Sequence, residues 1–241
     1  MLFLLRYNRL LPGYQLADNL KDVERRLERV LSRLATSRPK ITLVAVTKVF
    51  PAELIRQAYA LGIRDFGENY VQEFEKKYQQ VADLEGARFH LIGHLQSNKA
   101  RRAAEIFHII QTVDSEKLAR RLNESPRPLE VMVEVKLSFE QAKSGASPSD
   151  LAALIKAIRS CSNLRLLGLM TMPPWSENPE DSRPYFQKLR SLAAEHGLSQ
   201  LSMGMSHDFE VAIEEGATMI RVGTALFGRR IKPEAALLDT P

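Results

Sequence analysis

Apolar residues recur along the chain with two different spacings, and the alternation between these spacings predicts repeated helices and strands. Near the start they recur at three- and four-residue steps with charged residues between them, which is typical of an amphipathic helix with one buried face. The residues that form this face are Leu16, Leu20, Val23, Leu27, Val30, Leu31 and Leu34. The spacing therefore predicts one long helix that ends before Pro39.

The next apolar segment has a different pattern. Residues 41–47 form a β-branched run in which polar and apolar residues do not alternate, so they predict a strand that is buried on both faces. Lys48 follows directly. Pro51 suits the first turn of a helix, because proline lacks the N–H that this position leaves unbonded. We expect that helix over residues 51–61, with Gly62 as its C-terminal cap.

The pattern continues through seven more strands. They are predicted over residues 64–67, 88–92, 108–113, 129–135, 165–170, 201–206 and 218–223. Helices are predicted over about 71–81, 98–107, 116–122, 148–160, 180–195 and 209–215. Ser115 is a candidate cap for the helix at 116, and Ser147 with Asp150 for the helix at 148. The Pro-rich segment around Trp175 is a candidate lid, with a merely long connection as the alternative.

Eight strands that alternate with helices, with no linker between them, predict an α/β fold with a parallel sheet. The number of strands favours a single closed (β/α)8 TIM barrel, which needs roughly 250 residues, close to the 241 present. A doubly wound open sheet is the alternative, but Thr47-Lys48 stands where that fold carries a glycine-rich turn. We predict an N-terminal arm over 1–15, a barrel with an extra N-terminal helix over 16–232, and a C-terminal tail over 233–241.

Composition narrows the location and the partners. Cys161 is the sole cysteine, so neither an internal disulfide nor a cysteine-rich metal site can form, which suits the cytoplasm. The apolar N-terminus is interrupted by Arg6 and Arg9, and we expect no membrane association. The net charge of +5 alone suggests a nucleic-acid-binding barrel, but the basic residues are scattered among acidic ones without aromatic neighbours. We therefore expect no nucleic-acid partner.

Lys48 is the first candidate for chemistry. A lysine at the end of a buried strand must find an anion, lose its charge or enter a covalent bond. A partly desolvated amine is a nucleophile toward aldehydes, and lysines hold pyridoxal phosphate in this way. The alternative is a structural lysine that extends to solvent at the barrel rim or pairs with a glutamate.

The ends of the seventh and eighth strands suggest an anion site. In (β/α)8 barrels the loops after these two strands often hold phosphate. Gly204 and Ser206 follow strand seven, and Arg221, Gly223 and Thr224 lie at the end of strand eight. Small residues expose backbone N–H groups there, and the two hydroxyls add further donors. The alternative is that the glycines only permit tight turns.

Two further polar features give weaker signals. His90 and His94 are four residues apart, but one falls in a strand and the other in a loop, so they do not share a helical face as zinc ligands should. We therefore expect no metal site. Asn69 ends the second strand, where its side chain can donate to a ligand oxygen or cap the next helix.

Several sequence motifs resemble one known family. They are VAVTK at 44–48, FGENYVQE at 66–73, HLIGHLQSNK at 90–99, GLM at 168–170, SMGMSHD at 202–208 and RVGTALFG at 221–228. Together they are similar to the YggS/PROSC family of pyridoxal phosphate homeostasis proteins, over residues of about 16–230. The resemblance implies the barrel fold of the alanine racemase N-terminal domain. Thr47 departs from the serine that is usual in the family, and the first 15 residues have no placed counterpart.

The resemblance also implies roles for individual residues toward pyridoxal 5′-phosphate. Lys48 would form the Schiff base with the cofactor. Ser206, Gly223 and Thr224 would hold its phosphate group. Asn69 would lie beside its ring.

Arg221 would face the pyridine nitrogen of the cofactor, and this limits the function that the resemblance implies. An arginine stays charged and cannot accept a proton, so the ring would be a weaker electron sink than one paired with aspartate. The chain also shows no second base for racemisation. We therefore expect a protein that binds, buffers or delivers pyridoxal phosphate without turnover, with a cofactor-dependent amino-acid racemase as the alternative. Its expected partners are the cofactor and apoenzymes that need it, and we expect a monomer, with a dimer as the alternative.

Overall fold

Eight parallel strands close into a barrel in this protein. The computed structural model describes residues 13–34, 40–138 and 144–228. Each strand pairs in parallel with the next along the chain, and the eighth pairs with the first, where Val44 is the partner of Arg221. The predicted (β/α)8 barrel is therefore confirmed, and the open-sheet alternative is wrong. The predicted C-terminal tail and the arm before Gly13 lie outside the described residues.

The strands and helices alternate as the sequence predicts. The strands are β1 (Thr42–Val46), β2 (Asp65–Glu68), β3 (Arg88–Leu91), β4 (Ile109–Val113), β5 (Leu129–Glu134), β6 (Leu164–Met170), β7 (Gln200–Met205) and β8 (Met219–Val222). The helices are α1 (Gly13–Ser32), α2 (Ala52–Ala60), α3 (Val71–Tyr78), α4 (Ala100–Ile106), α5 (Glu116–Asn123), α6 (Leu151–Arg159), α7 (Arg183–Glu195), α8 (Phe209–Glu214) and α9 (Thr224–Phe227).

The main differences from the sequence prediction lie at helix starts. Short 3-10 turns at Ser97–Lys99 and Pro179–Ser182 precede α4 and α7. Helix α6 begins at Leu151, since Ser147 Oγ accepts a hydrogen bond from the Asp150 N–H and closes a turn before it. The four-residue α9 was not predicted, because it is too short to show a helical period.

The core has an outer and an inner part, because neighbouring strand residues point to opposite faces of the sheet. Outward-facing strand residues such as Ala45 and Val133 pack against the helices in one large cluster. Inward-facing Val44, Met132 and Met219 form a small separate cluster within the barrel. Inward positions nearer the carboxyl ends of the strands are therefore free to carry polar groups.

The extra N-terminal helix α1 lies against α8 and α9, the two helices that follow β7 and β8. Asn19 donates to the Leu226 carbonyl at 2.8 Å. Arg26 forms a bidentate pair with Glu210, with both nitrogen–oxygen distances 2.7 Å, and its guanidinium lies 4.3 Å from the centre of the Phe209 ring. The helix thus supports the end of the barrel where the sequence predicts an anion site. Among the described helices, none is both long and apolar enough to span a membrane.

Candidate functional site

All six residues that the sequence singles out line one cavity at the carboxyl ends of the strands. The cavity has a volume of about 250 Å³, and we call it the Lys48 cavity. Val44 faces the barrel interior, so the alternation along β1 places Val46 and then Lys48 on the same side. The predicted residues in its wall are Lys48, Asn69, Ser206, Arg221, Gly223 and Thr224. The lysine is half-buried there.

The backbone beside Lys48 has an uncommon conformation. Val49 has φ of 64°, in the left-handed region that β-branched residues rarely adopt. Its N–H donates to Glu73 Oε1 at 2.6 Å, and Glu73 also pairs with Lys77 at 2.7 Å. A contact from helix α3 therefore holds the turn that directs the Lys48 side chain.

The residue on the other side of Lys48 is held by the same helix. Lys77 Nζ donates to the Thr47 carbonyl at 3.0 Å and to Glu68 Oε1 at 2.9 Å. The Thr47 hydroxyl donates to Glu68 at 2.7 Å, and all three side chains are buried. Breaking a buried ion pair of this kind costs several kcal/mol, about 3–5 in typical cases, so Lys48 stands on a rigid support.

Ser206 joins the ends of β7 and β8. Its Oγ accepts hydrogen bonds from the Gly223 N–H at 3.1 Å and the Ala225 N–H at 3.2 Å. A hydroxyl that accepts twice still has its own hydrogen to donate. With the hydroxyl of the exposed Thr224, this gives the cavity two donors for an anion.

The two glycines of this region differ in whether the structure requires glycine. Gly204 has φ of 88°, and a Cβ there would lie 2.5 Å from the Ala212 Cβ, so the tight-turn interpretation applies to it. Gly223 has φ of −115°, which any residue can adopt. A Cβ at Gly223 would lie 3.4 Å from Val46 in the cavity wall, which is an ordinary van der Waals contact, so neither the backbone nor a clash requires glycine there.

Arg221 is the buried cation of the cavity wall. Its Nη1 donates to Ser202 Oγ at 2.7 Å, and its Nη2 donates to the Thr171 carbonyl at 2.9 Å. Burial lowers the pKa of Arg221 to about 10, although the charges of Asp208 and Glu134 oppose the shift. The guanidinium therefore remains protonated at neutral pH.

A chain of hydrogen bonds continues from Ser202 through the barrel interior. The Ser202 hydroxyl donates to Gln111 Oε1 at 2.6 Å, and Gln111 Nε2 lies 2.9 Å from His90 Nδ1. His90 Nε2 lies 2.8 Å from Asp65 Oδ1. Because the Gln111 amide nitrogen can only donate, the proton of a neutral His90 is on Nε2 and points to Asp65. Burial lowers the pKa of His90, which favours this neutral form.

The two histidines of the four-residue spacing have different surroundings. Both ring nitrogens of His90 have partners, whereas His94 lies beside Asp114, with 3.5 Å between Nδ1 and Oδ2. Within the described ranges, no group of three or more histidine, cysteine, aspartate or glutamate residues could hold a metal ion.

Asn69 lines the Lys48 cavity and carries a buried oxygen without a partner among the described residues. Its Oδ1 is buried and makes no hydrogen bond to any described residue. The helix-capping alternative is wrong, because Tyr70 precedes α3 and no side chain caps that helix. A buried unpaired oxygen costs about 1–3 kcal/mol, which a ligand that donates a hydrogen bond would recover.

Sequence reasoning singled out the segment around Trp175 as a candidate lid, but it missed Met172, Met205 and Glu134 at this end of the barrel. Trp175, 74% exposed, lines the Lys48 cavity and also a second cavity beside it, together with Met172 and Met205. Glu134 lines the second cavity, and its Oε2 is buried without a hydrogen-bond partner in the described part of the chain. The signal for Glu134 was available, because it ends β5 in register with the inward-facing Met132. Whether the Trp175 segment closes as a lid stays a prediction.

These features define a class: a single (β/α)8 barrel in which a lysine and a turn with hydroxyl donors line one cavity at its mouth. Residues 19–230 match the family described as alanine racemase, N-terminal domain. The pyridoxal phosphate homeostasis protein of Aquifex aeolicus (strain VF5) is 42% identical over 88% of this chain and 97% of that protein. The chain therefore belongs to the pyridoxal phosphate homeostasis proteins of the alanine racemase N-terminal-domain family, and the resemblance predicted from its motifs is confirmed.

Solved structures agree with this assignment. The structure of PipY from Synechococcus elongatus PCC7942 with PLP bound superposes with a TM-score of 0.76 at 39% identity, over 89% of this chain and all of that one. Alanine racemase from Corynebacterium glutamicum has a TM-score of 0.66 at 19% identity, over 90% of this chain and 61% of that one. At that identity the second comparison shows the shared barrel fold.

Proposed function

We propose that this protein binds pyridoxal 5′-phosphate in the Lys48 cavity and buffers or delivers it within the cell. The observation that carries the proposal is the convergence of an amine, two hydroxyl donors and a buried cation on one cavity. Relatives about 40% identical over most of the chain are pyridoxal phosphate homeostasis proteins, and PipY was solved with PLP bound.

The wall of the cavity suits the separate parts of this cofactor. When bound, the cofactor supplies an aldehyde that condenses with an amine, and one water molecule leaves as the C=N bond forms. We propose that Lys48 provides the amine of this Schiff base. Ser206, Gly223 and Thr224 would hold the phosphate. The unpaired oxygen of Asn69 would accept a hydrogen bond from the hydroxyl group on the cofactor ring.

The surroundings of Arg221 favour a carrier over a racemase. Its guanidinium donates from both terminal nitrogens and remains protonated, so it cannot take a proton from a ring nitrogen. A ring nitrogen without a proton withdraws electrons weakly. The carbanion left by removal of a proton from an amino-acid Cα is therefore stabilised only weakly. We therefore propose storage and delivery, without turnover, as the role of the site.

Borohydride trapping tests the assignment of Lys48. Hydride reduces a Schiff base to a stable secondary amine, and peptide mass spectrometry then locates the cofactor. We expect the adduct on the peptide that contains Lys48, and its loss in Lys48→Ala. Lys117→Ala, which removes an exposed lysine outside the cavity, is the control and should keep the adduct. An adduct of equal yield in Lys48→Ala would refute the proposal.

Deuterium exchange separates the carrier from the racemase. Loaded protein is incubated in deuterated water with single enantiomers of alanine, and NMR follows both exchange at Cα and the appearance of the other enantiomer. With a carrier, we expect Cα exchange and formation of the other enantiomer to be no faster than with the free cofactor. Exchange far above that rate would favour the enzyme.

Delivery also needs acceptors and a compartment. We propose that apoenzymes that depend on this cofactor are the recipients, that transfer takes place in the cytoplasm, and that the protein acts as a monomer. The lone Cys161 supports a reducing compartment. Mixing loaded protein with an apoenzyme and a scavenger of free aldehyde tests delivery, since direct transfer survives the scavenger and release into solution does not.

A further inference from the structure

A second cavity opens beside the Lys48 cavity. It has a volume of about 330 Å³ and shares Met172, Trp175 and Met205 with its neighbour. Glu134 and Lys136 bring charged groups to its wall. We call it the Glu134 cavity. A small molecule held here would lie next to whatever occupies the Lys48 cavity, because the two cavities share three of their lining residues.

Glu134 is a buried group of this wall with an unpaired oxygen among the described residues. The residue is 3% exposed, and its Oε2 has no hydrogen-bond partner within residues 13–34, 40–138 and 144–228. Burial raises the pKa of Glu134 to about 7, the negative charge of Asp114 adds to the shift, and the positive charge of Arg221 opposes it. The negative charge of Asp114 and the unpaired oxygen of Glu134 both favour a cation at this wall.

Lys136 supplies the opposite charge at a suitable spacing. It lies two residues beyond Glu134, so in extended backbone the two side chains share a side and their Cα atoms are ~7 Å apart. The backbone here is fixed, because the Ala146 N–H donates to the Glu134 carbonyl at 2.8 Å and the Lys136 N–H donates to the Ala146 carbonyl at 2.9 Å. The backbone that carries the acceptor and the cation is thus held in place.

We propose that the Glu134 cavity binds a small α-amino acid, with its ammonium group on Glu134 and its carboxylate on Lys136. A zwitterion satisfies the orphan carboxylate oxygen and pairs both charges, whereas a simple anion or a simple cation meets only one of them. The site does not depend on a cofactor at Lys48. When the Lys48 cavity is also filled, the Glu134 cavity holds the amine of its amino acid beside the ligand in the Lys48 cavity.

Binding of the ammonium group also moves a proton. A bound ammonium favours the ionised form of Glu134, so the proton that this carboxyl holds near neutral pH is released to solvent. Asp114, Arg221 and Lys136 are the charged groups that face it. At pH 7 we expect the release of up to about half a proton per amino acid bound.

Titration calorimetry of the full-length protein tests the proposal. The protein is first treated with borohydride, so that no aldehyde can react with an amine, and its mass reports separately whether Lys48 carries a cofactor. L-alanine, methylamine and propionate are the probes. We expect L-alanine to bind more tightly than either of the others, because only L-alanine makes both charged contacts.

Two variants locate the site. Glu134→Gln should weaken L-alanine binding at least ~10-fold and abolish proton release, measured in buffers of different ionisation enthalpy. Lys136→Met should weaken L-alanine similarly but leave methylamine unchanged. Glu24→Gln and Lys188→Met make the same changes of charge at exposed positions on α1 and α7 and should match the wild type. Thermal unfolding confirms that each variant is folded.

The alternatives give different results. No detectable binding of L-alanine at ~10 mM, or equal affinity in wild type and Glu134→Gln, would overturn the proposal. Propionate binding as tight as that of L-alanine would also overturn it, because it would make the cavity a plain anion site. Absence of the cofactor mass on Lys48 would count against the proposed function alone.

Discussion

Arg221 donates to Ser202 at 2.7 Å, and this contact connects the ligand cavity to a chain of side chains that crosses the barrel. The chain continues through Gln111 and His90 and ends at Asp65. Every donor along it points away from Arg221, so a cation at one end is linked through neutral groups to a carboxylate at the other. Such an ordered chain polarises its members in the same direction and fixes Arg221 in one position.

Removal of the first link should affect both stability and ligand affinity. In Ser202→Ala, Arg221 Nη1 and Gln111 Oε1 both lose a partner inside the barrel. We expect the free energy of unfolding in urea to fall by about 1–3 kcal/mol and the affinity for pyridoxal phosphate to fall with it. Ser191→Ala on the exposed face of α7 is the control and should change stability by less than ~0.5 kcal/mol.

At Val49, in the turn after Lys48, a glycine variant should be more stable than an alanine variant, which reverses their usual order of stability. At φ of 64° an alanine keeps the strain of Val49, whereas glycine removes it. We expect Val49→Gly to be more stable than Val49→Ala by ~1 kcal/mol in thermal or urea unfolding. If alanine is the more stable of the two, the left-handed conformation of this residue is wrong.

Helix α1 should influence the anion turn from a distance. Arg26 pairs with Glu210 and also donates to the Ser206 carbonyl at 3.3 Å. In Arg26→Ala we expect a loss of ~1–2 kcal/mol of unfolding free energy and weaker binding of pyridoxal phosphate, because the turn at Ser206 loses a support. Arg25→Ala removes an exposed partner of Asp22 and should be nearly neutral in both measurements.

Glu134 should make stability depend on pH in a defined window. Burial raises the pKa of Glu134 from 4.5 to about 7. The contribution of this carboxyl group to the unfolding free energy is therefore fully present below pH 4.5 and is lost as the pH rises through 7. The unfolding free energy of the wild type, relative to Glu134→Gln, should therefore fall by up to ~3 kcal/mol between pH 4.5 and 8. Urea unfolding at several pH values measures how the unfolding free energy of each protein depends on pH. Parallel profiles for the wild type and Glu134→Gln would contradict the prediction.

Ser206 should contribute to the affinity for ligands that carry a phosphate group and not for those that lack it. In Ser206→Ala the two N–H groups of Gly223 and Ala225 lose their acceptor, and the cavity loses a hydroxyl donor. We expect the affinity for pyridoxal phosphate to fall at least ~10-fold while that for pyridoxal, which lacks the phosphate, changes little. Fluorescence or absorbance titration with both ligands measures the difference. Equal losses for the two would place the phosphate elsewhere.

Much of the site was accessible from the sequence because its signals are local. The period of two puts Lys48 on the same side of the chain as Val44 and Val46, and its position after the strand puts it at the carboxyl end of the barrel. The turns at Ser206 and Gly223 follow from glycines after the seventh and eighth strands. Glu134 was overlooked, although the same rule identifies it as the last inward residue of β5.

The partners of these residues could not be predicted in the same way. Lys77, an ordinary helical lysine in the sequence, is buried against Glu68 and supports the backbone beside Lys48. His90, a candidate ligand by spacing, belongs instead to an internal chain between Gln111 and Asp65. Both outcomes depend on which strands and helices become neighbours, and spacing along the chain does not contain that information.

By itself, the sequence predicted the order of the elements, favoured a closed barrel and fixed which residues of one strand share a side, since these depend on the strand count and on periods of two and 3.6 residues. The tertiary structure alone decided which inward groups meet across the barrel, that Val49 adopts a left-handed conformation, and that Asn69 and Glu134 each keep an oxygen without a partner in the described chain. The physical reason is that barrel closure and strand register set contacts between residues far apart in sequence, whereas residue periodicity sets only the direction in which each side chain points.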